Sequence, residues 1–280
     1  MNSVNLESNN KTRRNHIKAI DKFEKIRSNY FLEKLFNILE KKKSLNIIKY
    51  NKNLKKRINI NINDYKEYLE LNSSIEIEIN PKINKYCKFI NFKDEDNIYH
   101  HIYFNNNKEE IKRNYIKKNE GIKIVKIIID YQIKSFEKLF KDCKFIECIY
   151  FKKFYRININ NMELMLSGCS SLKEIKGINN FNTINVTNMC GMFKECYELK
   201  NLDLSNFNTF KVENFSNMFN KCYKLKEIKG IYNFRISSMA NLTKMFDECN
   251  DLEYINTSKF NSYNNVLISK IENRKMTKNK

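Results

Sequence analysis

Turn-forming residues are scarce in this chain: 280 residues hold five glycines and one proline. Few sharp linkers can therefore punctuate it, because these two residues are the strongest local breakers of regular structure. Long apolar runs are missing as well. No stretch approaches the ~18 consecutive apolar residues that a membrane-spanning helix needs. The first residues, MNSVNLESNNKTRRNHIKAID, contain no apolar run resembling a signal peptide. Histidine is limited to His16, His100 and His101. His100 and His101 are adjacent in a predicted strand, so their side chains should point to opposite faces rather than share a metal or a proton.

Several chemical signatures are also lacking. There is no Gly-rich phosphate loop, no nucleophile elbow and no Ser/His/Asp or Cys/His arrangement. No C-x₂-C pair occurs, whereas structural zinc sites draw closely spaced Cys/His pairs from short loops. Eight cysteines without a secretory signal read as reduced thiols in an intracellular protein, and the expected address is the cytoplasm. The expectation is therefore no enzyme, no metal and no cofactor.

Acidic residues are outnumbered, 32 against 52 Lys+Arg, for a net charge of +20. Residues 1–60 carry 16 basic and 5 acidic side chains, 61–120 carry 10 and 11, and 121–280 carry 26 and 16. A basic head of net +11 suits nucleic acid, an acidic partner or an anionic membrane surface. The same charge has a compositional reading, since the chain is saturated with Asn, Lys and Ile, the residues an AT-rich genome favours.

What is present is a repeat. Cys143, Cys169, Cys196, Cys222 and Cys249 are spaced by 26, 27, 26 and 27 residues, and Phe154, Phe181, Phe207, Phe234 and Phe260 keep the same beat. A fixed period in this range marks stacked supersecondary units. Each unit holds a copy of one motif: SFEKLFKDC, NMELMLSGC, NMCGMFKEC, NFSNMFNKC, NLTKMFDEC. In the third, Met189, Met192, Phe193 and Cys196 fall at i, i+3, i+4 and i+7, one face of an α-helix. Ser135, Asn161, Asn188, Asn214 and Asn241 stand where N-caps belong. Five short capped helices are expected. The recurring cysteines are expected to be buried thiols, because free cysteine behaves as a small hydrophobe. Cys190 lies off the apolar face and is the expected exposed thiol.

After each cysteine comes a strand-like segment with inward Ile146, Leu172, Leu199, Leu225, Leu252, then Ile149, Ile175, Leu202, Ile228, Ile255. Between these the outward residues form two columns. One holds Tyr150, Lys176, Asp203, Lys229 and Asn256, the other Cys148, Glu174, Asn201, Glu227 and Tyr254. Asn180, Asn206 and Asn233, each just before the repeat phenylalanine, are expected to bond backbone groups of neighbouring turns.

The stretch VTNMCGMFKECYELKNLDLSNFNT resembles the BspA-type leucine-rich repeat family, and the resemblance covers about 121–268. It implies an α/β leucine-rich-repeat-like solenoid of short parallel strands and short helices, with an interaction surface. Relatives include bacterial surface proteins. The secretion signal expected of those is not seen here, so the resemblance implies the fold and the binding role and not the address. Upstream, YFLEKLFNILEKKKSLNIIKYNKNLKKRI is similar to an F-box at about 28–58, with Leu32, Leu35, Phe36 and Leu39 on one face, then Leu45, Ile47, Ile48 and Leu54. That likeness implies a substrate adaptor docking a ubiquitin-ligase core.

The expected organisation is a basic helical segment (1–70), a small β-rich segment capping the solenoid (71–120), five repeats (121–268) and a basic tail (269–280). At the join, Ile122 and Ile124 are expected to alternate as inward strand positions. The expected function is a non-catalytic protein–protein interaction scaffold. Its partner would meet Tyr150, Lys176, Asp203, Lys229, Asn256, Glu174, Asn201, Glu227 and Tyr254. The alternatives are the ubiquitin-ligase adaptor and, third, nucleic-acid binding through the basic N-terminus, which lacks an aromatic–basic recognition motif.

Overall fold

The computed structural model describes residues 25–29, 32, 52–57, 73–82 and 86–252. The chain divides into two compact units, Met1–Glu70 and Leu71–Lys280. In the first, Lys52–Arg57 is helical, and Leu32 and Leu54 are fully buried. The Arg57 guanidinium donates to Asn29 Oδ1 at 3.0 Å and to the carbonyls of Ile26 and Arg27. Leu35, Phe36, Leu39, Leu45, Ile47 and Ile48 lie outside the described residues, as does the tail 269–280.

The second unit begins with a mixed sheet. Strand β1 (Ile75–Pro81) alternates strictly, Ile75, Ile77 and Ile79 inward, Glu76 and Glu78 on the other face. Such alternation is what a two-faced strand demands. The short strands β2 (Cys87–Lys88) and β4 (Tyr115–Ile116) pair with each other. Strands β3 (His100–Phe104), β5 (Val125–Ile129) and β6 (Ile146–Lys153) join β1, and β7 (Glu174–Lys176) completes the order β3-β5-β1-β6-β7. All pairs are antiparallel except β6 with β7. Residues of the 71–120 segment thus share one sheet with the first repeat. In β5 the inward residues are Val125, Ile127 and Ile129, so the strand starts past Ile124, one of the inward positions expected there. Glu76 lies 3.2 Å from Lys126 and 3.3 Å from Lys153. Burial pushes the Glu76 carboxyl up, but these two ammonium groups outweigh it and hold the carboxyl below its usual value.

From residue 133 onward the units lie one upon the next. Strands β8 (Asn201–Asp203) and β9 (Glu227–Lys229) pair in parallel. A second seam of parallel bridges runs Ser135–Asn161–Asn188–Asn214–Asn241. Aromatic rings stack across it, Phe193 on Phe219 at 5.6 Å and Phe219 on Phe246 at 5.3 Å.

The expected class, an α/β leucine-rich-repeat-like solenoid with short helices, is not what forms. The regular elements of this unit, among the described residues, are mostly strands, and turns join them. Their helical segments are three 3₁₀ segments, Asp94–Tyr99, Ile178–Asn180 and Ile231–Asn233. The five expected helices are instead pairs of linked four-residue turns. In NMCGMFKEC the N–H of Met192 donates to the Met189 carbonyl, and that of Cys196 to the Phe193 carbonyl, both at 3.2 Å. The third residue of each turn, Gly191 or Glu195, has a positive φ (57° and 60°), as a type II turn requires. The intervening donors leave the unit altogether: Met189, Gly191, Phe193 and Glu195 bond the carbonyls of Asn214, Ser216, Met218 and Asn220.

The physical reason for the difference is geometric. Two four-residue turns in tandem place their ends, i, i+3, i+4 and i+7, on one side, as a helix does. Met189, Met192, Phe193 and Cys196 are all fully buried, so the apolar pattern is met by a different backbone. The asparagines behave in the same way. The Oδ1 atoms of Asn161, Asn188, Asn214 and Asn241 each accept the N–H two residues on, at 2.9–3.0 Å. That is the bond expected of an N-cap, but here it closes an Asx turn with no helix behind it.

Candidate binding surface

The strands set the two outward columns in register. Pairing of β6 with β7 places Cys148 against Glu174 and Tyr150 against Lys176. Pairing of β8 with β9 places Asn201 against Glu227 and Asp203 against Lys229. Tyr150, Glu174, Lys176, Asn201, Glu227 and Lys229 are exposed, Cys148 and Asp203 half-buried. Tyr254 and Asn256, the last members of the columns, lie outside the described residues.

The charges on this face are largely spoken for. Lys176 Nζ sits 3.3 Å from Glu174, Lys173 2.8 Å from Glu147, and Lys224 2.8 Å from Glu198. Asp203 Oδ1 accepts the Ser205 N–H at 3.0 Å, and the Ser205 side-chain and backbone bonds hold its carboxyl below the usual aspartate value. Asp203 thus builds the turn after β8 as much as it faces solvent. Tyr150 is 39% exposed, with the Lys152 ammonium 5.7 Å from its ring centre. Cys148 donates toward Glu174 at 3.9 Å; burial, then the Glu174 charge, push its thiol up, away from nucleophilic chemistry.

The cysteine column is structural. Cys169, Cys196, Cys222 and Cys249 donate their thiols to the carbonyls of Phe140, Leu166, Phe193 and Phe219 in the preceding unit, at 3.0–3.3 Å. Burial pushes the Cys169, Cys196 and Cys222 thiols well above their usual value. Cys190 is half-buried, not exposed, and accepts from Ser216 Oγ at 3.2 Å. Among the described residues no group of three His, Cys, Asp or Glu converges on a point.

His100 and His101 do part company. His100 is buried, stacks on Phe92 at 4.9 Å and holds the Asp96 carbonyl 2.8 Å from Nδ1. That carbonyl can only accept, so the proton is on Nδ1, and Nε2 has no partner among the described residues. His101 lies on the other face, 3.0 Å from Glu110 and 3.2 Å from Asp130.

Two features escaped the sequence reading. The first is Arg156, fully buried where the following units carry Thr183 and Thr209. Its guanidinium donates to the carbonyls of Asp130 (2.7 Å), Tyr131 (3.1 Å) and Ile133 and to Asn158 Oδ1 (2.9 Å). Burial pulls it down to about 10, so it stays charged at neutral pH. The second is a groove of about 660 Å³ past the ends of β6, β7 and β8. Asn179, Asn180, Asn182, Asn206 and Asn208 line it with Lys152, Tyr155 and Ile184, and the nearly buried Phe154 and Phe181 complete it. The repeated Asn beside each phenylalanine was its signal. Asn206 and Asn233 do bond the backbone of the preceding unit, at the carbonyls of Asn179 and Ser205.

No helix among the described residues is long and apolar enough to cross a membrane. No curated protein and no solved structure matches the chain. Residues 134–266 match the family model described as "Mycoplasma protein of unknown function, DUF285". This match overturns the assignment of about 121–268 to the BspA-type leucine-rich repeats and that of about 28–58 to the F-box, since neither family is the one found. The repeat-bearing part of the chain is similar to the Mycoplasma family instead.

Proposed function

We propose that the chain is a non-catalytic protein-binding scaffold whose partner meets the outward face of the strands. The observation that supports this reading is the in-register pair of columns: Tyr150 and Lys176 across β6 and β7, then Asn201, Glu227 and Lys229 across β8 and β9. These side chains contribute nothing to the buried core, so their identity is free to serve a contact. An exposed tyrosine among mixed charges suits an aromatic anchor inside a polar rim. The paired Glu and Lys residues on the same face suit a polar partner better than a polyanion.

The test is crosslinking mass spectrometry in the cells that make the protein, comparing wild type with Tyr150→Ala/Lys176→Ala/Lys229→Ala. Asp203 is left alone because its carboxylate closes the Ser205 turn. Loss of specific crosslinked partners is expected, and an unchanged partner set removes this face.

A further inference from the structure

We propose that the asparagine-lined groove binds an extended, uncharged polypeptide segment, whose main chain is held by the asparagine amides. The inference rests on the protein-binding reading and adds a second contact, on a different surface.

The amides are pre-oriented. Asn182 Oδ1 accepts the Ile184 N–H at 3.2 Å and Asn208 Oδ1 accepts the Phe210 N–H at 3.1 Å. Each Asx turn fixes its side chain and leaves the Nδ2 group as a donor. Asn206 spends Nδ2 on the Asn179 carbonyl at 2.8 Å and keeps Oδ1 as an acceptor. Donors and an acceptor therefore recur along the stack. A peptide main chain offers one donor and one acceptor per residue, and an amide side chain answers both without regard to sequence. Three units at a strand spacing of ~4.8 Å span about 10 Å, the rise of roughly three extended residues.

The remaining surface selects the side chains. Tyr155 is 60% exposed, Ile184 42% and, beside Asn208, Phe210 67%. Apolar side chains of a bound segment have somewhere to rest. No carboxylate lines the groove, and its one ammonium, Lys152, is paired with Glu78. A charged segment would lose hydration and gain no counter-charge. A saccharide is matched less well, because Tyr155 is the one exposed ring among the residues that line the groove itself.

The test uses the full-length protein. Peptides are selected from a phage-displayed random heptapeptide library, synthesised, and titrated by fluorescence anisotropy. Uncharged sequences containing apolar residues are expected. Binding should weaken at least tenfold for Asn182→Asp/Asn208→Asp, a pair of changes that keep the turn-closing oxygens and remove the donors. It should also weaken for Tyr155→Ser, whose ring is largely exposed, and persist in Tyr150→Ala/Lys176→Ala/Lys229→Ala. Failure to enrich any peptide, enrichment of acidic ones, or affinity unmoved by both groove variants would overturn the proposal. Displacement of the bound peptide by maltoheptaose at matching affinity would overturn it too. If the strand-face variant alone loses the peptides, the groove assignment fails while the scaffold reading stands.

Discussion

The backbone N–H of Phe193 donates to the carbonyl of Met218, one unit on, at 2.9 Å. In an α-helix it would have bonded Met189, four residues back. That single exchange captures how the repeats hold together. About half the donors of each of the first four motifs close local turns, and the rest fasten one unit to the next, so each layer's stability depends on its neighbours.

Gly230 occupies a tight turn directly after β9. Its φ is +80°, and an added Cβ would lie 2.3 Å from the Ser205 Cα, a backbone atom that cannot swing aside. Gly230→Ala should lower stability by at least about 1–3 kcal/mol, the cost of a strained backbone position. Urea denaturation measures it, and a wild-type midpoint would show that the turn relaxes freely.

Arg156 closes the first turn of the stack. Truncation to Ala leaves the buried Ile133 carbonyl without its donor, and the carbonyls of Asp130 and Tyr131 lose one donor while keeping the Ile133 N–H and Asn158 Nδ2. One orphaned buried group costs ~1–3 kcal/mol, so a loss of at least that size is expected. Arg156→Lys should rescue little, because an ammonium cannot reproduce the planar fork. Thermal melts of both variants decide this, and full rescue by Lys would point to charge alone.

His100 and His101 should give opposite pH dependences. Burial lowers the His100 value despite the Asp96 carbonyl. Its contribution is therefore complete above about 6.5, the unperturbed value, and falls away as pH drops toward the folded value. For His101, burial pulls downward but the bonds to Asp130 and Glu110 prevail, and the net shift is up. Its contribution is full below about 6.5 and disappears as pH rises through the folded value. Stability of His100→Leu between pH 5 and 8 should lose the acid-side decline, and that of His101→Leu the alkaline-side decline. Identical profiles for the two variants would contradict the assignment.

The buried thiols should resist modification. Iodoacetamide under native conditions should label Cys190 and Cys148 before any of Cys143, Cys169, Cys196 and Cys222, which are fully buried. Peptide mapping reads the order. Labelling of Cys196 at the rate of the denatured chain would mean that the layers open readily.

The burial pattern was legible in the sequence because it depends only on spacing. Met189, Met192, Phe193 and Cys196 are inside, as are Leu172, Leu199 and Leu225 after the cysteines. The backbone beneath them was not. The left-handed positions are held by Lys138, Asp142, Leu164, Glu195, Lys221, Lys244 and Glu248 as well as by Gly168, Gly191 and Asn217. Most of those residue types carry no turn signal. Insertion of β1 between β5 and β6 pairs residues 50 and 74 apart in sequence, with Ile77 beside both Ile127 and Phe151, and local periodicity cannot reveal it. For the surface, the alternation of the strands gave the columns at Tyr150 and Glu174. The groove stayed hidden because Asn206 reads equally well as a fastener of the backbone, which it is, and as a wall of a cleft, which it also is.

The stacked-turn backbone is tested most directly by the scalar coupling transmitted through hydrogen bonds in the deuterated, isotope-labelled full-length protein. A coupling is expected between the Phe193 amide nitrogen and the Met218 carbonyl carbon, and none to Met189. A coupling to Met189 would restore the helix and contradict the stacked-turn structure.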